Sequence, residues 1–148
     1  MENHSISEDS RPDLERLLAT LLPFAEKQLR KRGEFTPFAA LMNIEMNIEL
    51  AMSHDDSEET TMPDLIGMLE EGFRARVAEN QIRATGICYD GILRLESGGH
   101  ATDAIIVDLE HECGDTVKIA RPYSKKLFRR LVFEDIIALP LEPSLFTL

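Results

Sequence analysis

The sequence predicts a single α+β domain in which two helices pack on one face of a mostly antiparallel sheet of about five to six strands. Three strand-like runs separated by turn residues, Ala84 to Leu95, Thr102 to Glu112 and Thr116 to Tyr123, predict a meander. Two amphipathic segments predict the helices, and strict apolar alternation from Ile44 to Met52 predicts a further strand. The expected order is helix, two strands, helix, then three or four strands, and the expected domain spans residues 11–148.

The first helix is expected after a polar, flexible segment of residues 1–10. Ser10 and Asp13 have the spacing of a loose capping box, and Pro12 suits the first turn. Pro23 predicts a kink or a short break near Leu22. A leucine stripe follows at helical spacing, basic residues fill the last turns and Gly33 ends the helix; the stripe and basic residues are Leu14, Leu17, Leu18, Leu21, Lys27, Arg30, Lys31 and Arg32.

Residues 34–52 predict a hairpin. The apolar run Phe38 to Met42 is one strand, and the alternating run that ends at Met52 is the other. No Asn-Gly fixes the turn, which is expected between Met42 and Asn47. A helix remains an alternative here, because Leu, Met, Ala and Glu are good helix formers.

A second helix is expected from about Pro63 to Asn80, after an acidic loop at residues 53–60. Thr61 and Asp64 repeat the capping spacing. Gly67 and Gly72 lower helix stability, and we expect them to mark a close approach of this helix to the sheet.

The chain after the meander is less regular. Val132 to Leu139 is consistent with a last strand or a short helix, and the apolar tail Leu141 to Leu148 is expected to dock on the sheet. The turn Ser97 to His100 lacks the spacing of dinucleotide and phosphate loops, so a hairpin is expected there.

Composition narrows the function classes. The formal charge of −11 argues against general nucleic-acid binding and would suit a basic partner. No signal peptide and no run of about 18 apolar residues are present, so we expect a cytoplasmic protein without membrane contact. The two cysteines, Cys88 and Cys113, are expected to be reduced and buried in interior strands.

His111 and Cys113 belong to the densest group of potential metal ligands. On a strand, alternation places Leu109, His111 and Cys113 on one face and Asp108, Glu110 and Glu112 on the other. Only one histidine and one cysteine would then converge, without the paired spacing of a zinc site. We therefore expect no metal and no cofactor, and a core histidine bonded to a backbone group or to Tyr123.

A nucleophilic site is the second chemical hypothesis. Cys113 cannot easily use His111, its neighbour on one strand face, whereas Cys88 could approach His111 if their strands pair in a suitable register. No orienting Asp or Asn is evident in the sequence. The alternative is that both cysteines only fill the core.

Two basic clusters complete the inventory of charged groups. One serves the end of the first helix, and the other consists of Lys125, Lys126, Arg129 and Arg130. Either could contact an anionic ligand or RNA, but solvated surface is the simpler expectation.

The segment Gly33-Glu34-Phe35-Thr36-Pro37-Phe38, together with Asp103-Ala104-Ile105, Leu109-Glu110-His111, Gly114 and Pro122-Tyr123, resembles a set of small bacterial proteins of uncharacterised function. These share a GEF-x-PF segment and an EH-x-x-G…PY hairpin. The resemblance spans about Leu14 to Tyr123 and implies an α+β domain without supplying an activity. Those proteins have a glycine at the first hairpin turn, where this chain has Glu45-Met46-Asn47.

The leading functional hypothesis is a non-enzymatic protein-interaction module, such as an immunity-type protein or a secretion-chaperone-like protein. A homodimer through a polar sheet face is a further alternative. The candidate interaction residues are Asp108, Glu110, Glu112, Asp55, Asp56, Glu58 and Glu59. The competing hypothesis is a small enzyme or ligand-binding domain centred on His111, with Cys113 and Cys88.

Overall fold

The computed structural model describes residues 6–53, 60–94 and 100–146. The elements are α1 (Arg11–Arg32), β1 (Phe38–Asn43), β2 (Ile48–Met52), α2 (Met62–Ala78), β3 (Ile82–Arg94), β4 (Ala101–His111), β5 (Thr116–Lys125), a short 3₁₀ turn (Leu127–Arg129), β6 (Leu131–Phe133) and β7 (Ile137–Leu139). The strands in this part of the chain form an antiparallel sheet in the order β2-β1-β3-β4-β5-β6, with β7 also paired to β5. The predicted α+β class and element order are confirmed.

The two helices lie on opposite faces of the sheet, so the prediction that both cover one face is wrong. Phe38, Ala40 and Met42 of β1 pack in a cluster with α1. Ala39 and Leu41, which point the other way, pack in a cluster with α2. The strands at the centre of the sheet are apolar on both pleats, and each face therefore needs its own cover.

α1 runs through Pro23 as one helix, without the short break that was one of the two predicted outcomes. Pro23 and Ala19, whose carbonyl loses its helical partner, are both exposed, so water can satisfy that carbonyl. Gly33 ends the helix as predicted, with φ 79° and an N–H that donates to Leu29 O at 2.8 Å.

The first hairpin turns within the predicted interval. Asn43 N–H donates to Asn47 O at 2.9 Å, and the Asn43 side-chain oxygen accepts the N–H groups of Glu45 and Asn47. The loop therefore has three residues, and Met46 adopts the left-handed conformation with φ 70°. A glycine would adopt this conformation without a steric penalty.

We predict that Met46→Gly stabilises the protein by about 0.5–1 kcal/mol, because it removes the left-handed strain of a residue with a Cβ. The matched control is Glu45→Gly, at a neighbouring loop position whose φ is not positive. That variant should lose stability through the entropy of the unfolded chain. Urea unfolding of both variants measures the difference, and equal effects would contradict the strain argument.

α2 begins with the predicted capping box, in which Thr61 and Asp64 exchange hydrogen bonds. The expected close approach at Gly67 and Gly72 is wrong, since a Cβ at either would meet nothing within 4 Å. The close approach lies at Gly86 in β3 instead. A Cβ there would stand 2.5 Å from Leu21 Cδ1 and 3.0 Å from Leu109 Cδ2.

We predict that Gly86→Ala destabilises the protein by about 1–3 kcal/mol, because Leu21 and Leu109 must move to admit the methyl group. Gly67→Ala is the control and should stabilise the protein by up to about 1 kcal/mol, as expected for an unhindered helix position. Thermal and urea unfolding compare the two. A neutral Gly86→Ala variant would show that α1 does not press on the sheet as described.

The chain after β5 forms two short strands rather than one strand or a helix, with a break at residues 134–136. As predicted, the tail then docks on the sheet up to residue 146; Leu148, which was also expected to dock, lies outside the described residues. The tail crosses the face that α2 covers, where Thr116 donates a hydrogen bond to Leu141 O and Leu145 is buried beside Phe73. This crossing tail and α2 together cover that face and position the site described next.

Candidate functional site

His111 is a buried core histidine at the end of β4, held by contacts to both ring nitrogens. Its Nε2 lies 2.8 Å from Asp13 Oδ2, and the two side chains are only 4% and 2% exposed. The backbone N–H of Cys113 donates to Nδ1 at 3.1 Å. Because Nδ1 accepts, the ring proton is on Nε2, which donates to Asp13. The predicted backbone contact is confirmed, but Tyr123 donates instead to Asp90 at 2.7 Å.

Asp13 is also bound by Arg83, whose Nε lies 2.6 Å from Asp13 Oδ2. The register shift between β1 and β3 makes Arg83 the extra residue of a bulge, because Met42 pairs with Ala84 and Asn43 with Ile82. The bulge turns Arg83 toward α1. Burial opposes ionisation of Asp13, but the hydrogen bonds from His111 and Arg83 and the charge of Arg83 outweigh it and lower the pKa of Asp13.

The start of α1 is tied to the β4–β5 turn by Asp115, and the predicted Ser10–Asp13 capping box is wrong. The Ser10 hydroxyl makes no cap and donates to Asp115 Oδ2 at 2.6 Å. Ser7 donates to the same atom from its N–H and its hydroxyl. These hydrogen bonds hold the pKa of Asp115 well below its usual value. Ser7 and Ser10, within the segment predicted to be flexible, are thus packed on the domain.

The arrangement does not make a cysteine nucleophile. Both His111 nitrogens are engaged, so the ring has no free site to take a proton from Cys113. Cys113 is exposed in the turn after β4, not buried in a strand as predicted. Cys88 pairs with Val107, whereas His111 pairs with Ala84, which places Cys88 about 13 Å along the sheet from His111. Burial raises the pKa of the Cys88 thiol.

The carboxylates of β4 occupy the opposite face from His111, as the alternation predicts, but Glu112 lies beyond the strand, 4.0 Å from Arg83. Glu110 is buried, although it was a predicted interaction residue, and its oxygens accept the backbone N–H groups of Ser144 and Leu145 at 2.7 and 2.8 Å. Glu110 thus fastens the tail to the sheet.

Asp108 forms a closed set of contacts with Lys118 and Tyr89. Lys118 Nζ lies 3.0 Å from Asp108 Oδ1 and donates to the Tyr89 hydroxyl at 2.9 Å, which in turn donates to Asp108 Oδ2. Burial lowers the stability of the Lys118 cation, but the contacts with Tyr89 and Asp108 outweigh it and raise the pKa of Lys118. Burial raises the pKa of Tyr89.

A cavity of about 230 Å³ lies between α2, the tail and this face of the sheet. Carboxylates and apolar groups both line it: Glu70, Asp108, Glu110, Glu142, Thr85, Ser144, Ile66, Ile87, Leu141 and Leu145. Thr85 is 0% exposed, and its hydroxyl has no hydrogen-bond partner among the described residues. We call this space the acidic cavity. The sequence analysis missed it, because Thr85 is an unremarkable strand residue and the tail contributes four of the ten lining residues.

Across residues 6–53, 60–94 and 100–146, no three His, Cys, Asp or Glu side chains are grouped so that they could hold a metal ion. No helix in these ranges is long and apolar enough to cross a membrane. The predicted interaction residues Asp55, Asp56, Glu58 and Glu59, and the hairpin turn predicted at residues 97–99, lie outside the described residues. Comparisons with protein-family models, curated proteins and solved structures found no match for this chain.

We predict that Asp13→Asn lowers the free energy of unfolding at pH 7 by about 2–3 kcal/mol, because it weakens hydrogen bonds to a buried carboxylate. Asp13 has a native pKa below that of the unfolded chain, so its contribution is complete above about pH 4 and is lost as the pH falls below that value. The variant should therefore lose less stability than the parent between pH 5 and pH 2.

The control is Glu15→Gln, an exposed carboxylate on the same helix, which should leave both the stability and its pH dependence nearly unchanged. Urea unfolding at several pH values distinguishes the two variants. Parallel pH profiles for Asp13→Asn and the parent would contradict the assigned network.

Proposed function

We propose that the protein is a non-enzymatic protein-interaction module that binds a basic partner, with a lysine or arginine side chain of the partner entering the acidic cavity. The observation that carries the proposal is the buried Thr85 hydroxyl, which has no partner among the residues that the structure describes, in a space lined by four carboxylates. The acidic run Asp55 to Glu59 would add attraction for such a partner.

Electrostatics supports a cationic ligand. Glu70, Glu110 and Glu142 bring negative charge to the cavity, and Lys118 offsets the charge of Asp108. Backbone N–H groups occupy the Glu110 oxygens, but these donors bring no net charge. A cation in this space would therefore be attracted by several carboxylates in surroundings less polar than water. The same field would repel a phosphate or a carboxylate ligand.

The Thr85 hydroxyl supports a donor ligand in particular. A buried polar atom without a partner costs about 1–3 kcal/mol and is uncommon in folded proteins. An ammonium or guanidinium group would donate a hydrogen bond to this hydroxyl. The cavity is smaller than the roughly 300–1,000 Å³ of typical small-molecule pockets. Its size suits one long side chain, whose aliphatic stem can contact Ile66, Ile87 and Leu145.

Two kinds of partner fit this chemistry, a basic toxin that an immunity-type protein neutralises and a basic secreted protein that a chaperone holds. The alternative of an enzyme centred on His111 gains no support, because Asp13 and the Cys113 N–H occupy both ring nitrogens. Binding to a basic partner should weaken as ionic strength rises, since the attraction is screened.

We predict that Thr85→Val separates stability from binding. The substitution keeps the shape of the side chain and removes the unpartnered hydroxyl, so the free energy of unfolding should stay equal or rise by about 1 kcal/mol. Affinity for a lysine-containing peptide should fall by about five- to ten-fold, because one hydrogen bond is lost. Urea unfolding measures the first effect and calorimetric titration with the peptide the second.

Thr102→Val, at a partly exposed position of β4, is the matched control and should leave peptide affinity unchanged. A second titration uses a peptide in which norleucine replaces lysine, so that the side chain keeps its length and loses its charge. NMR titration should place the shifts at Thr85, Ser144 and Leu145. Equal affinity of the parent for both peptides, or equal affinity of parent and Thr85→Val for the lysine peptide, would refute the proposed use of the cavity.

A further inference from the structure

Two large apolar side chains stand almost fully in solvent at the tip of the β5–β6 connection. Leu127 is 85% exposed and Phe128 is 98% exposed. Single exposed apolar residues are common, but two adjacent exposed ones at a loop tip form an apolar surface whose hydration is unfavourable. The flanking residues are cations: Lys125 and Lys126 precede the pair, and Arg129 and Arg130 follow it.

The backbone holds this tip in a defined projecting shape. Lys126 N–H donates to Arg130 O at 2.6 Å and closes the loop directly beyond the β5–β6 pairing. Phe128 adopts the left-handed conformation with φ 62°, which is unfavourable for a bulky residue. The loop thus presents Phe128 outward at some cost in backbone energy.

The second basic cluster of the sequence meets the first at this end of the molecule. Arg30, Lys31 and Arg32 end α1, and together with Lys125 they line a cleft of about 470 Å³. These four residues, with Lys126 and Arg130, are all exposed and gather six of the 16 Lys and Arg residues of the chain. The acidic groups of Glu34, in the cleft, and Asp90, near Lys125, offset part of this charge.

This basic end lies far from the acidic cavity. Thr116, at the start of β5, pairs with Glu110 of the cavity, whereas Lys125 is nine residues further along the same strand. At about 3.3 Å per residue the separation is about 30 Å. The chain is therefore strongly acidic as a whole and yet carries a compact positive surface with an apolar tip.

We propose that this end docks on a membrane surface that contains anionic lipids, with Leu127 and Phe128 entering the interface and the surrounding cations contacting lipid headgroups. Apolar side chains among lysine and arginine are the composition of interfacial anchors, in which each cation near an anionic surface adds to the attraction. This proposal departs from the expectation of no membrane contact, which was based on the lack of a spanning segment and of a signal peptide; surface docking needs neither.

A membrane fits this surface better than a nucleic acid does. Phe128 could stack on a base, but Leu127 has no aromatic face to offer. An extended polyanion would also pass along an acidic protein, which repels it. A membrane touches only the projecting tip, and the acidic body then points into solvent.

The test uses Phe128→Trp in the full chain, because the sequence contains no tryptophan and the new residue is a unique reporter. Vesicles of phosphatidylcholine with phosphatidylserine should shift its emission to shorter wavelength and carry the protein into the pellet. Vesicles of phosphatidylcholine alone should do neither. Raising the salt concentration should release the protein.

Variants of the parent chain separate the contribution of the apolar tip to vesicle binding from that of the cations. Leu127→Ser with Phe128→Ser should weaken partition into anionic vesicles about ten-fold or more, and Lys126→Gln should weaken it about five-fold. Ile92→Ala, which removes an exposed apolar side chain of β3, should have no effect. Circular dichroism checks that each variant is folded.

Three results would overturn the proposal: no binding to anionic vesicles, equal binding of the tip variants, or a tryptophan shift caused by a single-stranded RNA oligonucleotide but not by vesicles. Sedimentation velocity provides a fourth. If the tip is buried by self-association, the apparent mass of the parent protein should rise with concentration, and that of the Leu127→Ser, Phe128→Ser variant should not. Failure here leaves the acidic cavity untouched, because the two surfaces share no residue.

Discussion

Two-sided burial of the central strands is the constraint on which the rest of the structure depends. β1 is buried on both pleats, so a helix on one face cannot complete the core. α1 covers one face with a continuous leucine stripe. α2 covers only part of the other face, the tail after β7 covers a second part, and Ile137 and Leu139 of β7 pack on a third. Each polar group that faces these layers must then find a partner within the protein.

The polar residues of the sheet meet this demand in different ways. On the α1 side, Asp13 joins His111 and Arg83 in one network that ties the helix to two strands. On the α2 side, Glu110 holds the tail, and Asp108 is held by Lys118 and Tyr89. Thr85 differs from these residues, because its buried hydroxyl has no hydrogen-bond partner in the described part of the chain. A buried polar group that lowers stability and faces a cavity is better explained by a role in binding than by a role in folding.

Local sequence signals predicted local structure well. The Thr61–Asp64 spacing, the three-strand meander and Gly33 at the helix end were all correct, because each depends on neighbouring residues. Ser10 and Asp13 have the same capping spacing, but they form no capping box, because both side chains bind partners about 70 to 105 residues away. Periodicity also gave each helix one apolar stripe without indicating which face of the sheet it covers. Arg30 and Lys125 line one cleft only because the fold brings α1 next to β5, and no local sequence pattern indicates this.

The hydrogen bonds from the tail to Glu110 have a consequence for backbone dynamics. Ser144 and Leu145 belong to no strand or helix, and a segment without regular structure usually exchanges its amide hydrogens quickly. Here a carboxylate in the protein interior accepts both amides, so their exchange is limited by detachment of the whole segment. These two amides are therefore expected to be protected while the tail is attached, and release of the tail would expose the floor of the acidic cavity in one step.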